Sequence, residues 1–177
     1  MLNFGPESFN TPEGVAAAID VLGRALGHEE RASELSGELT AAVEEIDADL
    51  SGAAPTTLSL MARGNSVMAM DDSVMLAHLV QRAGGVSTAS KVGITQTRPI
   101  DAELIAVANP DVIFLEDFMG QGSTPFDALL ANPALADVRA IANRQVHLIP
   151  MDEASALSGT NTPEGYRAIA EIIAQAG

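Results

Sequence analysis

The segment RPIDAELIAVANPDVIFLED, residues 98 to 117, constrains the fold more than any other. It reads as a helix capped by Asp101, a tight Asn109-Pro110 turn, and a strand, DVIFLE, whose apolar run is continuous. A continuous run marks a strand buried on both faces. Parallel strands are buried that way because the helices that connect them cover both sides of the sheet. The same strand runs straight into Glu116 and Asp117. That places two acids at its carboxyl end, where a parallel sheet meets solvent and a charge costs little.

Helix and short strand alternate over most of the chain. TTLSLMA (56–62) and NSVMAMD (65–71) read as strands, SVMLAHLVQRAGG (73–85) as a helix stopped by Gly84-Gly85, and KVGIT as a short strand. TPFDALLA and PALADVRAIA read as helices, QVHLIP as a strand, and TPEGYRAIAEIIAQA as the closing helix, with Thr162-Pro163 repeating the start signal of Thr11-Pro12. This order predicts an α/β domain, a Rossmann-like three-layer unit with a mostly parallel central sheet. Ligands of such sheets sit beyond the carboxyl ends of the strands. The loops that matter are then 62–65, 96–98, 116–122 and 151–159. Two helices come first. Thr11-Pro12-Glu13 opens one that ends near Gly27. The second spans 28–50 and carries a single stripe of Ala32, Leu35, Leu39, Val43, Ile46 and Leu50. At 1.5 Å per residue it would run roughly 33 Å.

A net charge of -15 with only one lysine, Lys91, argues against nucleic acid as a partner, because phosphate backbones are met by clustered cations. There are no cysteines, so disulfides and thiolate metal sites are excluded. The start, MLNFGPESFN, has no basic residues and no apolar run, and the expectation is a soluble chain already free of a signal peptide. No apolar segment approaches the roughly 18 residues of a membrane span.

Catalytic chemistry finds little support. Ser123 and Thr124 have no histidine nearby in sequence, GQGST is no nucleophile elbow, and three scattered histidines make no zinc site. Gly120-x-Gly122 after a strand resembles a dinucleotide loop, but the third glycine is missing and Glu116-Asp117 would repel phosphate. Phe118 and Met119 suit the apolar floor of a cleft for a bulky ligand, and equally suit a loop packed into a local core. His78 falls on the apolar face of its helix, His147 alternates within a strand, and the sole tyrosine, Tyr166, sits inside the last helix. The SVMAMDDSVML stretch reads as core and hairpin packing.

Four stretches, VLGRALGHEERASELSGEL, LAHLVQRAGG, IDAELIAVANPDVIF and FDALLANPALADVRAIANRQVHLIP, occur in the order and spacing of a known family. In this the chain resembles the substrate-binding proteins of bacterial ABC importers for metal chelates. The resemblance implies two α/β lobes joined by one long helix, with the ligand between them. On that plan, residues 1–27 are the tail of an N-terminal region, 28–50 the interlobe helix and 56–177 the C-terminal ligand-binding lobe, and the N-terminal lobe is missing from these residues. It further implies a non-enzymatic, extracytoplasmic protein with no intrinsic cofactor. The ligand would be a ferric siderophore, with haem and cobalamin as alternatives, and the partner would be a membrane permease.

By the same resemblance Glu103 matches the acid that docks on the permease. Arg63 and Arg98, after strand ends, would meet an anionic chelate, or else pair with local acids. Asp117, Phe118, Met119 and Met151 complete the expected ligand wall, and Glu116 with Asp117 would accept from a ligand's amides or hydroxyls. A chelated metal arrives already coordinated, so no metal ligands are expected. Two rivals of other classes are a small nucleotide-dependent α/β enzyme using 120–123 and an interaction domain docking through the 28–50 stripe.

Overall fold

A computed structural model of the chain describes Phe4 and residues 8–177. Residues 1–3 and 5–7, on which the reading of the N-terminal start partly rests, lie outside the described residues. Helix α1, Pro12–Leu26, begins as its sequence dictates: the Thr11 hydroxyl accepts from the Gly14 N–H at 3.0 Å, and Pro12 occupies the first turn. Gly27, at φ 72°, ends it. The chain then reverses into α2, Glu29–Ala48. The two helices cross so closely at Gly23 that a Cβ there would lie 2.1 Å from that of Ala32. The Ser36 hydroxyl donates to Asp20 across the pair at 2.7 Å.

The buried stripe of α2 is Ala32, Ser36, Leu39, Val43 and Ile46. Leu35 and Leu50, expected in it, are half-buried: α1 presses on the side that carries Ser36, and Leu50 lies beyond the end of α2. Over its 20 residues α2 extends about 30 Å and lies on the domain along this stripe.

The sheet combines β1 (Thr56–Arg63), β2 (Ser66–Ala69), β3 (Val86–Ser87), β4 (Arg98–Pro99), β5 (Val112–Asp117) and β6 (Val146–Pro150) in the order β4-β2-β1-β5-β6, with β3 also on β1. β1 runs parallel to β3 and β5, and β5 parallel to β6. The β1–β2 and β2–β4 pairings are antiparallel, so the sheet is mixed with a parallel centre. Gly64, at φ 58°, supplies the first central residue of the two-residue β1–β2 turn.

Helices α3 (Met75–Arg82) and α8 (Thr162–Ala176) join α2 on one face, against Met61 and Phe114. Helix α4 (Ala102–Ala108) and the short α5 (Asp127–Leu130) and α6 (Arg139–Ala142) occupy the other side; Leu58, Leu60, Ile113 and Leu115 there meet Ile105, Phe126, Leu135 and Val138. The four-residue α7, Met151–Ala154, follows β6 directly. The result is the three-layer α/β arrangement that the alternating pattern predicts.

Arg82 ties four helices together. It donates to Asp47 of α2 from Nε at 3.0 Å and Nη2 at 2.7 Å, pairs with Glu13 of α1, and lies near the Tyr166 ring of α8. The Tyr166 hydroxyl donates to Asp47 at 2.6 Å, and burial with this charged acceptor pushes its pKa up.

Local readings failed in several places. PALADVRAIA is not one helix but a tight turn at Pro133–Leu135 and the short α6, parted by the extended Val138. KVGIT is not a strand: Ser90–Val92 form a single tight turn, and Gly93 at φ 74° breaks the extended run. Arg98, expected in a loop, begins the edge strand β4, where Pro99 is tolerated because an edge residue need not donate. Thr162 is not an N-cap. Its hydroxyl donates backwards to the Gly159 carbonyl at 2.8 Å, since a turn at Gly159–Asn161 leads straight into α8. Among the described residues no helix is long and apolar enough to cross a membrane.

Candidate functional site

The parallel register of β1 and β5 sets Leu60 beside Leu115, and continuing it brings Arg63 level with Phe118. In β5 and β6, Asp117 stands beside Pro150, which delivers Met151 to the same rim. Backbone pairing alone thus collects the carboxyl ends of three strands. There the Arg63 guanidinium lies over the Phe118 ring, 4.7 Å from its centre. Its Nη1 approaches Glu116 Oε2 to 2.7 Å and donates to the Ala62 carbonyl at 2.8 Å.

Glu116 departs from the sequence expectation that a charge at a strand's end meets solvent. It is 2% exposed, continuing the side of β5 that carries Phe114, and its compensation is the neighbouring arginine. Burying a carboxylate without such a partner would be prohibitive.

The loop after β5 is shaped by three positive φ angles, at Met119 (56°), Gly120 (71°) and Gly122 (63°). For Met119 this left-handed conformation is strained, and it leaves the side chain 76% exposed. Two bonds hold it so: the Met119 N–H donates to Met151 Sδ at 3.3 Å, and the Gly122 N–H donates to Asp117 Oδ1 at 2.8 Å. Asp117 therefore braces the loop with one of its oxygens.

Arg63, Glu116 and Phe118, with Gly64, Gln121 and Pro125, line a depression of about 190 Å³. A complete site for a drug-sized ligand encloses about 300–1,000 Å³, so this depression is smaller than such a site. A broader, shallower hollow shares Pro125 and continues past Ser66 to Asp101, the cap of α4. Glu103, in the first turn of α4, is exposed beside it. A separate groove between α2 and α8, lined by Glu45, Asp49, Arg167 and Glu171 among others, touches none of the rim residues.

Of the site residues predicted from sequence, the structure gathers Arg63, Asp117, Phe118, Met119 and Met151 at one rim. Arg98 is not among them. It lies opposite Ala69 on the edge strand and outside the depression. The pairing of Arg63 with Glu116 was missed, as were Gln121 and Pro125, because nothing local links residues 53 apart. Tyr166 and His147 are held off the rim by hydrogen bonds to Asp47 and Gln145, and burial lowers the His147 pKa. Among the described residues no three His, Asp or Glu side chains gather as a metal site.

The family model for periplasmic binding proteins matches residues 2–153. No curated protein matches the chain by sequence. Solved structures with the same fold include the periplasmic heme-binding protein RhuT from Roseiflexus sp. RS-1 in apo form, at TM-score 0.81 and 22% identity, covering 94% of this chain and 64% of that one. An ABC-type Fe3+-hydroxamate transport system structure from Saccharomonospora viridis gives 0.76 and 20%, covering 92% and 56%. The vitamin B12 binding protein BtuF of Vibrio cholerae gives 0.74 and 14%, covering 94% and 63%. The chain thus spans somewhat less than two thirds of the length of these structures.

Proposed function

Because the chain belongs to the periplasmic binding protein family, we propose that it is the C-terminal lobe and joining helix of the substrate-binding component of an ABC importer. It would capture a ferric siderophore outside the cytoplasmic membrane and deliver it to the permease. The observation that carries this reading is the unfinished pocket at the rim. Arg63, Phe118, Met119 and Met151 converge at the carboxyl ends of β1, β5 and β6, yet the depression is only about 190 Å³ and open. A second lobe facing it across α2 would complete the enclosure.

The mechanism follows from this geometry. Phe118 and Met119 offer apolar and polarizable surface to a bulky chelate, Arg63 fixes its orientation, and closure of two rigid lobes excludes water. The chelated iron is cargo and needs no protein ligand from this lobe. That favours a siderophore over haem, since Tyr166 and His147 are engaged elsewhere. Glu103, exposed near the rim, is the residue proposed to dock on an arginine of the permease. A nucleotide-dependent enzyme fits poorly, because the glycine loop leads into a helix of only four residues that cannot seat a pyrophosphate.

The test is calorimetric titration of ferric siderophores, haem and cobalamin into the protein expressed with its natural upstream sequence. Binding of a siderophore with micromolar or better affinity is expected. No binding of any of the three below millimolar would overturn the reading. For Glu103, Glu103→Arg should abolish uptake in cells while leaving that affinity unchanged.

A further inference from the structure

Glu116 carries an unmet requirement. Glu116 lines the rim depression, its side chain is 3% exposed, and its sealed Oε2 accepts no hydrogen bond. Arg63 Nη1 is 2.7 Å away and supplies charge. It donates instead to the Ala62 carbonyl, and the guanidinium is pinned over Phe118. Buried acceptors are nearly always satisfied, and an ionised one left without a donor is unusually costly. A fold keeps such an atom where something else comes to meet it.

The charge balance points the same way. Among the described residues Arg63 is the only cation lining the depression, and Glu116 already neutralises it. Asp117 stands next in the chain, and Asp152 and Glu153 follow Met151. Burial pushes the Glu153 pKa up, and the charges of the neighbouring acids Asp152 and Glu164 add to the rise. A polyanion approaching this rim meets no uncompensated positive charge.

We infer that Glu116 is a specificity-determining residue: the rim selects an iron chelate that is uncharged or cationic overall and presents a hydroxyl, amide N–H or ammonium donor to the Glu116 carboxylate. Arg63 is then a positioning residue that sets its charge beside Glu116 and turns the face of Phe118 to the ligand. The inference rests on the reading of the rim as a ligand wall, and it narrows that reading to chelates such as trihydroxamates, against polyanionic catecholates.

The test is an NMR titration of the 15N-labelled 177-residue chain, which reads weak binding to a single wall. The probes are two chelates loaded with diamagnetic gallium(III), an uncharged trihydroxamate with free amide N–H groups and a triply anionic tricatecholate. The amides of Arg63, Phe118 and Met119 should shift, with the uncharged chelate binding about tenfold tighter, the worth of one charge-assisted hydrogen bond. Glu116→Gln should weaken the uncharged chelate about tenfold and strengthen the anionic one, because it frees the charge of Arg63. Glu116→Asp retracts the oxygen but keeps the charge, and should weaken the first without helping the second. The spectra themselves report whether each variant is folded. Tighter binding of the anionic chelate to the unaltered chain, or equal response of both chelates to Glu116→Gln, overturns the inference and leaves the importer reading standing. No rim shift with either chelate overturns both.

Discussion

The two ends of the sheet each place an acid beside an arginine, and they treat the pair in opposite ways. At the amino end, Asp111 Oδ2 accepts from the Thr56 N–H at 2.8 Å and hydroxyl at 2.6 Å, while Oδ1 pairs with Arg139 Nε at 3.0 Å. Arg139 also donates from Nη2 to the Asn109 carbonyl at 2.7 Å. Every group in that cluster has a partner, although Asp111 is only partly buried. At the carboxyl end Glu116 is far more deeply buried and has a charge neighbour but no hydrogen-bond donor, beside a methionine in a strained backbone. The amino end has short connections that close on themselves and is built for stability. The carboxyl end has longer loops and gives up satisfaction and relaxed backbone for an open wall.

If that contrast holds, the largest loss of stability belongs to the amino end. Asp111→Ala should cost about 2–3 kcal/mol by urea unfolding, because it orphans the Thr56 N–H, removes the acceptor of its hydroxyl and breaks the ion pair with Arg139. A loss under about 0.5 kcal/mol would dissolve the comparison. The same carboxylate makes this end acid-sensitive. Burial raises the Asp111 pKa, but the Thr56 hydrogen bonds and the charge of Arg139 outweigh it and hold it below the usual value. With the folded pKa depressed, its stabilisation is full above the unfolded value of about 3.9 and is lost as pH falls through the folded one. Unfolding midpoints of Asp111→Asn should accordingly fall less steeply below about pH 4 than those of the unaltered chain. Asp71, lowered to about 2 by bonds from Ser73 and Thr97 that overcome its burial, sets a second acid step that ends near that pH.

Arg63→Gln comes next, at about 1–2 kcal/mol. Leaving a buried carboxylate unpaired costs more than this, but the Arg63 side chain is 40% exposed and water relieves part of it. Adding Glu116→Gln should restore most of the loss, and failure to do so would mean that the two residues are not coupled. Phe118→Ala should cost only about 0.5–1 kcal/mol, the scale of an exposed cation–π contact, while removing chelate-induced NMR shifts at the rim. The smallest effect is that of Met119→Gly, which relieves the positive φ and should leave thermal stability within about 0.5 kcal/mol or slightly raised. A marked loss there would place Met119 with the stabilising contacts and not with the wall.

Much of this was legible in the residues, unevenly. The cap at Thr11, the stripe of α2 and the run from Val112 to Leu115 were readable because each is a local signal repeated at the period of its element. The loop at 116–122 was marked in advance by its glycines and by the end of an apolar strand. Arg98 was misplaced because a two-residue edge strand has no periodicity to read, and its pairing with Ala69 depends on a hairpin 29 residues upstream. KVGIT carried strand propensity without a free edge to join. Glu116 was readable as an acid at a rim but not as a buried one, since its burial depends on what stands beside it.

By itself the chain determined the longer helices and strands, that the central strand is covered on both faces, and which loops stand at its carboxyl end. These follow from capping, periodicity and burial, which act over a few residues and leave their record there. The tertiary structure alone decided that Arg63 sits over Phe118 and against Glu116, that Asp117 braces a loop, and that Arg98 lies elsewhere. Such neighbours are chosen by strand register across tens of residues, and a one-residue slip in that register would pair different side chains while changing no local pattern.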